Sequence, residues 1–138
     1  MKKAYAYIIK NNKLLVFSEP EFPEVGFQVA GGTVEENEDL EVAIKREVIE
    51  ETGLTDFSIK KYLGKQVITF NQKTYERHFF LIELTQDTPE TWEHIEKFPS
   101  EGEKKEILFR FCWKDLAKDN IDIGNQGVFL YHLQHFLD

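Results

Sequence analysis

The segment GGTVEENEDLEVAIKREVIEETGL, residues 31–54, constrains the fold more than any other part of the chain, because one face of its periodic stretch changes character halfway along. Projected at about 100° per residue, Leu40, Ala43 and Ile44 fall on one stripe, and Glu47, Glu50 and Glu51 continue it. Asn37 is suited to an N-cap, Glu38 and Asp39 sit where the helix dipole favours negative charge, and Gly53 suits the left-handed position that ends a helix, with Leu54 packing back. About fifteen residues make such a helix about 22 Å long. If its apolar half lies on a sheet, the three carboxylates point inward or at the edge of a cleft.

Crowding like charges is unfavourable. Exposed pairs at i,i+3 and i,i+4 cost a few tenths of a kcal/mol each, and burial without a partner costs several kcal/mol per ion. Arg46 points about 100° away from Glu47 and Lys45 further round, so neither is expected to neutralise all three glutamates. The simplest partner is a hard divalent cation, since Mg²⁺ takes carboxylate oxygens and keeps several waters. A solvated acidic face is the ordinary meaning of a charge run; the stripe shared with Leu40 and Ile44 argues against it here. Gly31-Gly32 adds a turn that brings backbone carbonyls near the carboxylates.

Around this helix the sequence predicts strands. AYAYII (4–9) and LLVF (14–17) flank KNNK, whose asparagines tolerate positive φ, so a hairpin is expected. FQVA (27–30) reads as a short strand entering Gly31-Gly32, and further strands are expected at 57–70, 75–84 and 106–113. Residues 86–105 are polar and carry Pro89 and Pro99, which suggests a long loop with a helical turn, holding Trp92 and His94. Residues 125–137 place Phe129, Leu133 and Phe136/Leu137 on one face of a terminal amphipathic helix. The order implies an α/β fold, a mixed sheet with a helix on each face, in one domain spanning 1–138.

Composition narrows the partners. A formal charge of −8 disfavours a duplex nucleic-acid surface, which relies on Lys/Arg patches, but a bound divalent cation can still admit a small phosphorylated substrate. Cys112, the single cysteine, excludes an intrachain disulfide, and ILFRFCW around it suggests a buried strand thiol. The apolar run AYAYII is too short for a signal peptide or a membrane helix, so a cytoplasmic protein without a membrane partner is expected. His132 and His135 are spaced i,i+3, but two histidines without further ligands make a poor zinc site and read as a solvated face.

At this point the spacing becomes diagnostic. Gly32, five residues, Glu38, seven residues, Arg46-Glu47, Val48, Ile49, Glu50-Glu51, Thr52, Gly53 and Leu54 reproduce a complete Nudix box, so the chain resembles the Nudix hydrolases of MutT type. The resemblance implies the family's α/β/α sandwich and metal-dependent hydrolysis of a pyrophosphate bond in a nucleoside diphosphate derivative. By position, Glu47, Glu50 and Glu51 look like ligands of Mg²⁺ or Mn²⁺, the carbonyl of Gly31 often completes the site in relatives, and Arg46 looks like the residue that orients the glutamates. Glu38 is expected to be structural. The general base varies in the family; Glu47 or Glu50 is favoured, with Glu103 and Glu106 as loop alternatives.

Marks of substrate class outside the box are mostly missing. Phe70 stands where relatives acting on ADP-ribose often carry Pro, Tyr75 lies beyond the window in which relatives acting on dinucleoside polyphosphates often carry Tyr, and Ala30 replaces the usual Pro before the Gly pair. Phe27, Phe70 and Tyr75 are candidates to stack on a base, though each also reads as core, and Arg77 could grip a phosphate or form a rim salt bridge. The alternative to an enzyme is a Nudix-fold module that binds a nucleotide or a protein without turnover, but such a binder has no need for three repelling glutamates. Fold analogy suggests a homodimer.

Overall fold

The computed structural model describes residues 1–96, 106–131 and 133. Strand β1 (Lys2–Lys10) turns into β2 (Lys13–Ser18) through Asn11 and Asn12, whose φ values of 52° and 60° are those of a type I′ hairpin turn. A 3-10 turn at Pro23–Val25 precedes β3 (Ala30–Thr33), and helix α1 (Leu40–Thr52) follows. Then come β4 (Phe57–Phe70), β5 (Lys73–Leu84), β6 (Thr91–Glu96), β7 (Ile107–Asp115) and a 3-10 turn at Gly124–Gly127.

The strands form one mixed sheet in the order β4-β5-β1-β2-β7-β6, with β3 paired to β1 beside that path. Only β1 and β5 run parallel, from Lys2↔Glu76 to Ile9↔Glu83. What positions the site is the behaviour of β1. Its first half pairs with β3, Lys3↔Thr33 to Ala6↔Ala30, whereas its end pairs with β2, Ile9↔Leu14 and Lys10↔Lys13. The sheet therefore splits between β3 on one side and β2 with β7 on the other, and α1 lies against the split.

Alternation along the strands builds two cores. Ala4, Ala6, Ile8, Phe80 and Ile82 pack beneath Ala43, Ile44 and Val48 of α1, while Tyr7, Ile9, Phe79 and Leu81 pack on the other face with Leu116, Ile123 and Leu133. Both faces of the sheet are thus covered, as an α/β/α sandwich requires. Among the described residues no helix is long and apolar enough to cross a membrane.

Three expectations shift. The strand expected at 27–30 lies at Ala30–Thr33, and Gln28 makes only an isolated bridge with Phe17. The reason is contact with β1, since a Cβ on Gly31 would run into Tyr5 and the carbonyl of Ala4. Asn37 adopts φ 63° in the turn before the helix, so Asp39 is the N-cap instead. Residues 91–96, expected in a loop, form β6 along the free edge of β7, with Trp92, His94 and Glu96 more buried than Thr91, Glu93 and Ile95. Of the terminal helix, the description shows the Gly124–Gly127 turn and a bond from the Leu133 N–H to the Phe129 carbonyl; His132, His135, Phe136, Leu137 and the loop residue Glu103 lie outside the described residues. Cys112 is half-buried on β7, and burial raises its thiol pKa.

Candidate active site

The acidic half of α1 ends in the split of the sheet. Glu47 is 6% exposed and Glu51 5%, while Glu50 is exposed. Glycine makes the first of these possible, because a Cβ on Gly32 would overlap the Glu47 carboxylate. Gly31 lets β3 lie close to β1 and turns its N–H toward Glu51 Oε1 at 3.4 Å. Glu96, from β6, joins them. Oxygens of Glu47, Glu51 and Glu96 lie within 4.8 Å of one another.

Arg46 compensates part of this charge. Its five guanidinium N–H groups meet five acceptors: Nε donates to Glu38 Oε2 at 2.8 Å, Nη2 to Glu38 Oε1 at 2.9 Å and to the Thr33 carbonyl at 3.0 Å, and Nη1 to Glu47 Oε1 at 2.8 Å and Glu50 Oε2 at 3.3 Å. The expectation that Arg46 does not neutralise all three glutamates holds, although its long side chain swings back along the helix. It reaches Glu47 and Glu50 and leaves Glu51 alone. Glu38 is anchored by this fork and by the Glu35 N–H, which hold its carboxyl at a pKa of about 2.

The remaining acids are pushed the other way. Burial raises the pKa of Glu47 against the pull of Arg46. Burial, then Glu96 and Glu47, raise Glu51 well above the ordinary carboxylate range, and burial followed by Glu50 and Glu19 raises Glu96. Among the described residues no lysine or arginine forms an ion pair with Glu51 or Glu96. A buried acidic set with hard oxygen donors, a backbone cradle that tolerates no Cβ and incomplete compensation fits a divalent cation such as Mg²⁺ or Mn²⁺.

β6 clamps the helix that carries these groups. Trp92 Nε1 donates to the Thr52 carbonyl at 3.3 Å, and His94 Nε2 sits 2.9 Å from the Glu50 carbonyl, an atom that only accepts, so this nitrogen carries the proton. Gly53, at φ 78°, ends the helix beside the His94 ring.

These elements enclose a cleft of about 920 Å³. Acidic groups of α1 and β6 occupy part of it, and Phe17, Ile49, Ile95, Ile107 and Phe109 form an apolar wall. Gly31 lines the cleft, as do Arg46, Glu47, Glu50 and Glu51. The other sequence candidates lie elsewhere. Phe27 borders a neighbouring cavity of about 630 Å³, its ring 4.5 Å from Lys114 Nζ. Phe70 stands 65% exposed at the end of β4, Tyr75 pairs with Ile68 on β5, and Glu106 is an exposed residue before β7. Arg77 is 3% exposed and committed to Gln66 Oε1 at 2.9 Å and the Asn125 carbonyl at 3.4 Å, with its guanidinium over Tyr5 and Phe79. Glu19, Glu96 and Lys3 line the cleft without having been singled out in the sequence. The period-two pattern TWEHIE was the available signal for Glu96.

The sequence matches the NUDIX domain family over residues 2–129. Among solved structures, a MutT NUDIX hydrolase from Burkholderia pseudomallei superposes with a TM-score of 0.66 at 18% identity over 95% of each chain. The C. elegans Ap4A hydrolase gives 0.66 at 19% identity, covering 99% of this chain and 98% of that one. A NUDIX hydrolase from Nitrosomonas europaea gives 0.63 at 23% identity, over 96% and 88%. No curated protein matches the chain in sequence. At these identities the structural likeness is one of fold.

Proposed function

The chain belongs to the NUDIX domain family, and from that premise we propose that it is a pyrophosphohydrolase acting on a nucleoside di- or triphosphate, or a nucleoside diphosphate linked to another group, with Mg²⁺ or Mn²⁺ held by its cleft carboxylates. The observation that carries this reading is the convergence of Glu47, Glu51 and Glu96 within 4.8 Å in a buried setting that Arg46 compensates only in part. Those three, with Glu50 beside them, would hold the ion. When bound, it neutralises charge on the pyrophosphate and acidifies water, which leaves the protein little covalent chemistry to do.

The chain's own groups do the positioning. Arg46 fixes Glu47 and Glu50 against Glu38, and Trp92 and His94 hold the last turn of α1 in place. Glu50 is the carboxylate best placed to act as base: it is exposed to the cleft, and Arg46 bonds only one of its oxygens among the described residues. Water attacks one phosphorus, the bond from that phosphorus to the bridging oxygen breaks, and the water proton passes to the Glu50 carboxylate. The apolar wall of Phe17, Ile107 and Phe109 offers a surface for the nucleoside.

The test is chromatographic analysis of the two phosphorylated products with and without Mg²⁺ or Mn²⁺, across nucleoside di- and triphosphates, ADP-ribose, nucleotide sugars and dinucleoside polyphosphates, repeated with Glu50→Gln. Metal-dependent cleavage of one class, lost in the variant, supports the reading. Undiminished turnover by the variant removes Glu50 as base, and metal-independent cleavage removes the ion.

A further inference from the structure

The geometry points to Lys3 as the residue through which the protein itself grips the phosphates of its substrate, an inference that rests on the pyrophosphate reading above. Among the described residues, Lys3 and Arg46 are the only lysine and arginine lining the cleft. The two differ in what they have left to give. Every N–H of Arg46 is spent on Glu38, Glu47, Glu50 and the Thr33 carbonyl, so it has no donor for a phosphate oxygen. Lys3 uses one of its three N–H groups, on Thr33 Oγ1 at 2.8 Å. Two remain.

Position makes the vacancy informative. Lys2, Lys10, Lys60 and Lys65 each find a carboxylate within ion-pair distance, whereas Lys13, Lys45 and Lys73 find none among the described residues, so what sets Lys3 apart is its place in the cleft. Lys3 forms no ion pair among the described residues, although it lines a cleft rich in glutamates. The sheet keeps it there. Lys3 is paired with Thr33 in the β1–β3 ladder, and the hydroxyl of Thr33 holds the ammonium while its carbonyl takes the Arg46 Nη2 donor at 3.0 Å. One residue thus links Lys3 to the guanidinium that anchors Glu47. An ammonium lining the same cleft as the carboxylates that would hold the ion, with donors to spare and no ion pair among the described residues, suits the oxygens of a pyrophosphate, which would bind through both the ion and the lysine.

Binding separates this role from the chemistry. The probe is imidodiphosphate, a pyrophosphate analogue that resists hydrolysis, titrated calorimetrically onto the protein with saturating Mg²⁺; Mg²⁺ alone is titrated in parallel. Lys3→Met is expected to weaken imidodiphosphate binding about ten- to a hundredfold, the range of one charge-assisted hydrogen bond, with Lys3→Arg close to wild type and affinity for Mg²⁺ alone preserved. In turnover, Lys3→Met should raise KM more than it lowers kcat. Equal imidodiphosphate binding by wild type and Lys3→Met overturns the assignment. Loss of Mg²⁺ affinity together with imidodiphosphate affinity also overturns it, by making Lys3 a support of the carboxylates. Failure of the wild type to bind imidodiphosphate at all overturns the pyrophosphate reading, and the role of Lys3 with it.

Discussion

Replacing Glu51 with Gln is expected to stabilise the metal-free protein while abolishing most of its response to Mg²⁺. Glu51 is 5% exposed and its carboxylate lies within 4.8 Å of oxygens of Glu47 and Glu96. Two unit charges at such a separation repel by about 3–4 kcal/mol at an effective dielectric constant of about 20. The metal-free protein avoids that by retaining a proton, which is why burial, Glu96 and Glu47 drive the Glu51 pKa well up. Retention has its own cost at neutral pH, about 1.4 kcal/mol for each pKa unit up to the solution pH. The sign is set by linkage: between the ordinary glutamate pKa and the raised one, the native state binds more protons than the unfolded chain, so metal-free stability falls as pH rises through that window. Gln preserves the volume and the acceptor for the Gly31 N–H, removes the charge, and can donate to Glu47 or Glu96. A net gain of about 1–3 kcal/mol, or about 3–12 °C in Tm, is expected. Differential scanning fluorimetry with EDTA and with Mg²⁺ reads both effects. In wild type, Mg²⁺ at a hundred times its Kd adds about 2.7 kcal/mol, most of which the variant should lose. A fall in the EDTA Tm on substitution, or an undiminished Mg²⁺ shift, would refute the reasoning.

Two further perturbations probe the support of the site. Gly32→Ala drives a methyl group into the Glu47 carboxylate and should cost about 1–3 kcal/mol, with weakened Mg²⁺ affinity, measured by urea unfolding and metal titration; wild-type affinity would show that Glu47 can move aside. Glu38, held at a pKa of about 2 chiefly by Arg46, contributes stability that is present above the ordinary glutamate pKa and lost as pH falls toward 2, so Glu38→Gln should flatten the acid limb of the urea midpoint against pH, and superimposable limbs would contradict that.

How much of this was legible in the sequence depends on the range of the interaction involved. The hairpin at Asn11-Asn12 and the end of α1 at Gly53 were readable because each is set by backbone preferences of one or two residues. The stripe of Leu40, Ala43, Ile44, Glu47 and Glu51 was readable because helical periodicity alone places these side chains on one face, but Glu50, expected to continue it, is exposed. β6 was not, because its residues are strand only by virtue of the free edge of β7, a partner well over ten residues away, and Pro89 drew attention to a loop. Missing β6 meant missing Glu96. The start of α1 moved from Asn37 to Asp39 because asparagine serves equally well as an N-cap or in a left-handed turn, and the turn into the helix took it. Arg77 looked like a phosphate ligand only while its burial under Tyr5 and Phe79 was unknown.

Arg46 neutralises two of the three glutamates, as far as its length allows. A guanidinium reaches several ångströms beyond its Cα, so a residue about 100° round the helix still bonds Glu47 and Glu50. The consequence reaches the chemistry. The fork divides the acids into a group bonded to Arg46, Glu38, Glu47 and Glu50, and a pair without an ion-pair partner among the described residues, Glu51 and Glu96, contributed by α1 and β6. Full neutralisation of the five would make an ion unnecessary, and none would make the metal-free fold too costly to populate. One saturated arginine leaves acidic charge unpaired among the described residues, on Glu51 of the helix and Glu96 of β6, and a divalent cation held there would draw on both elements.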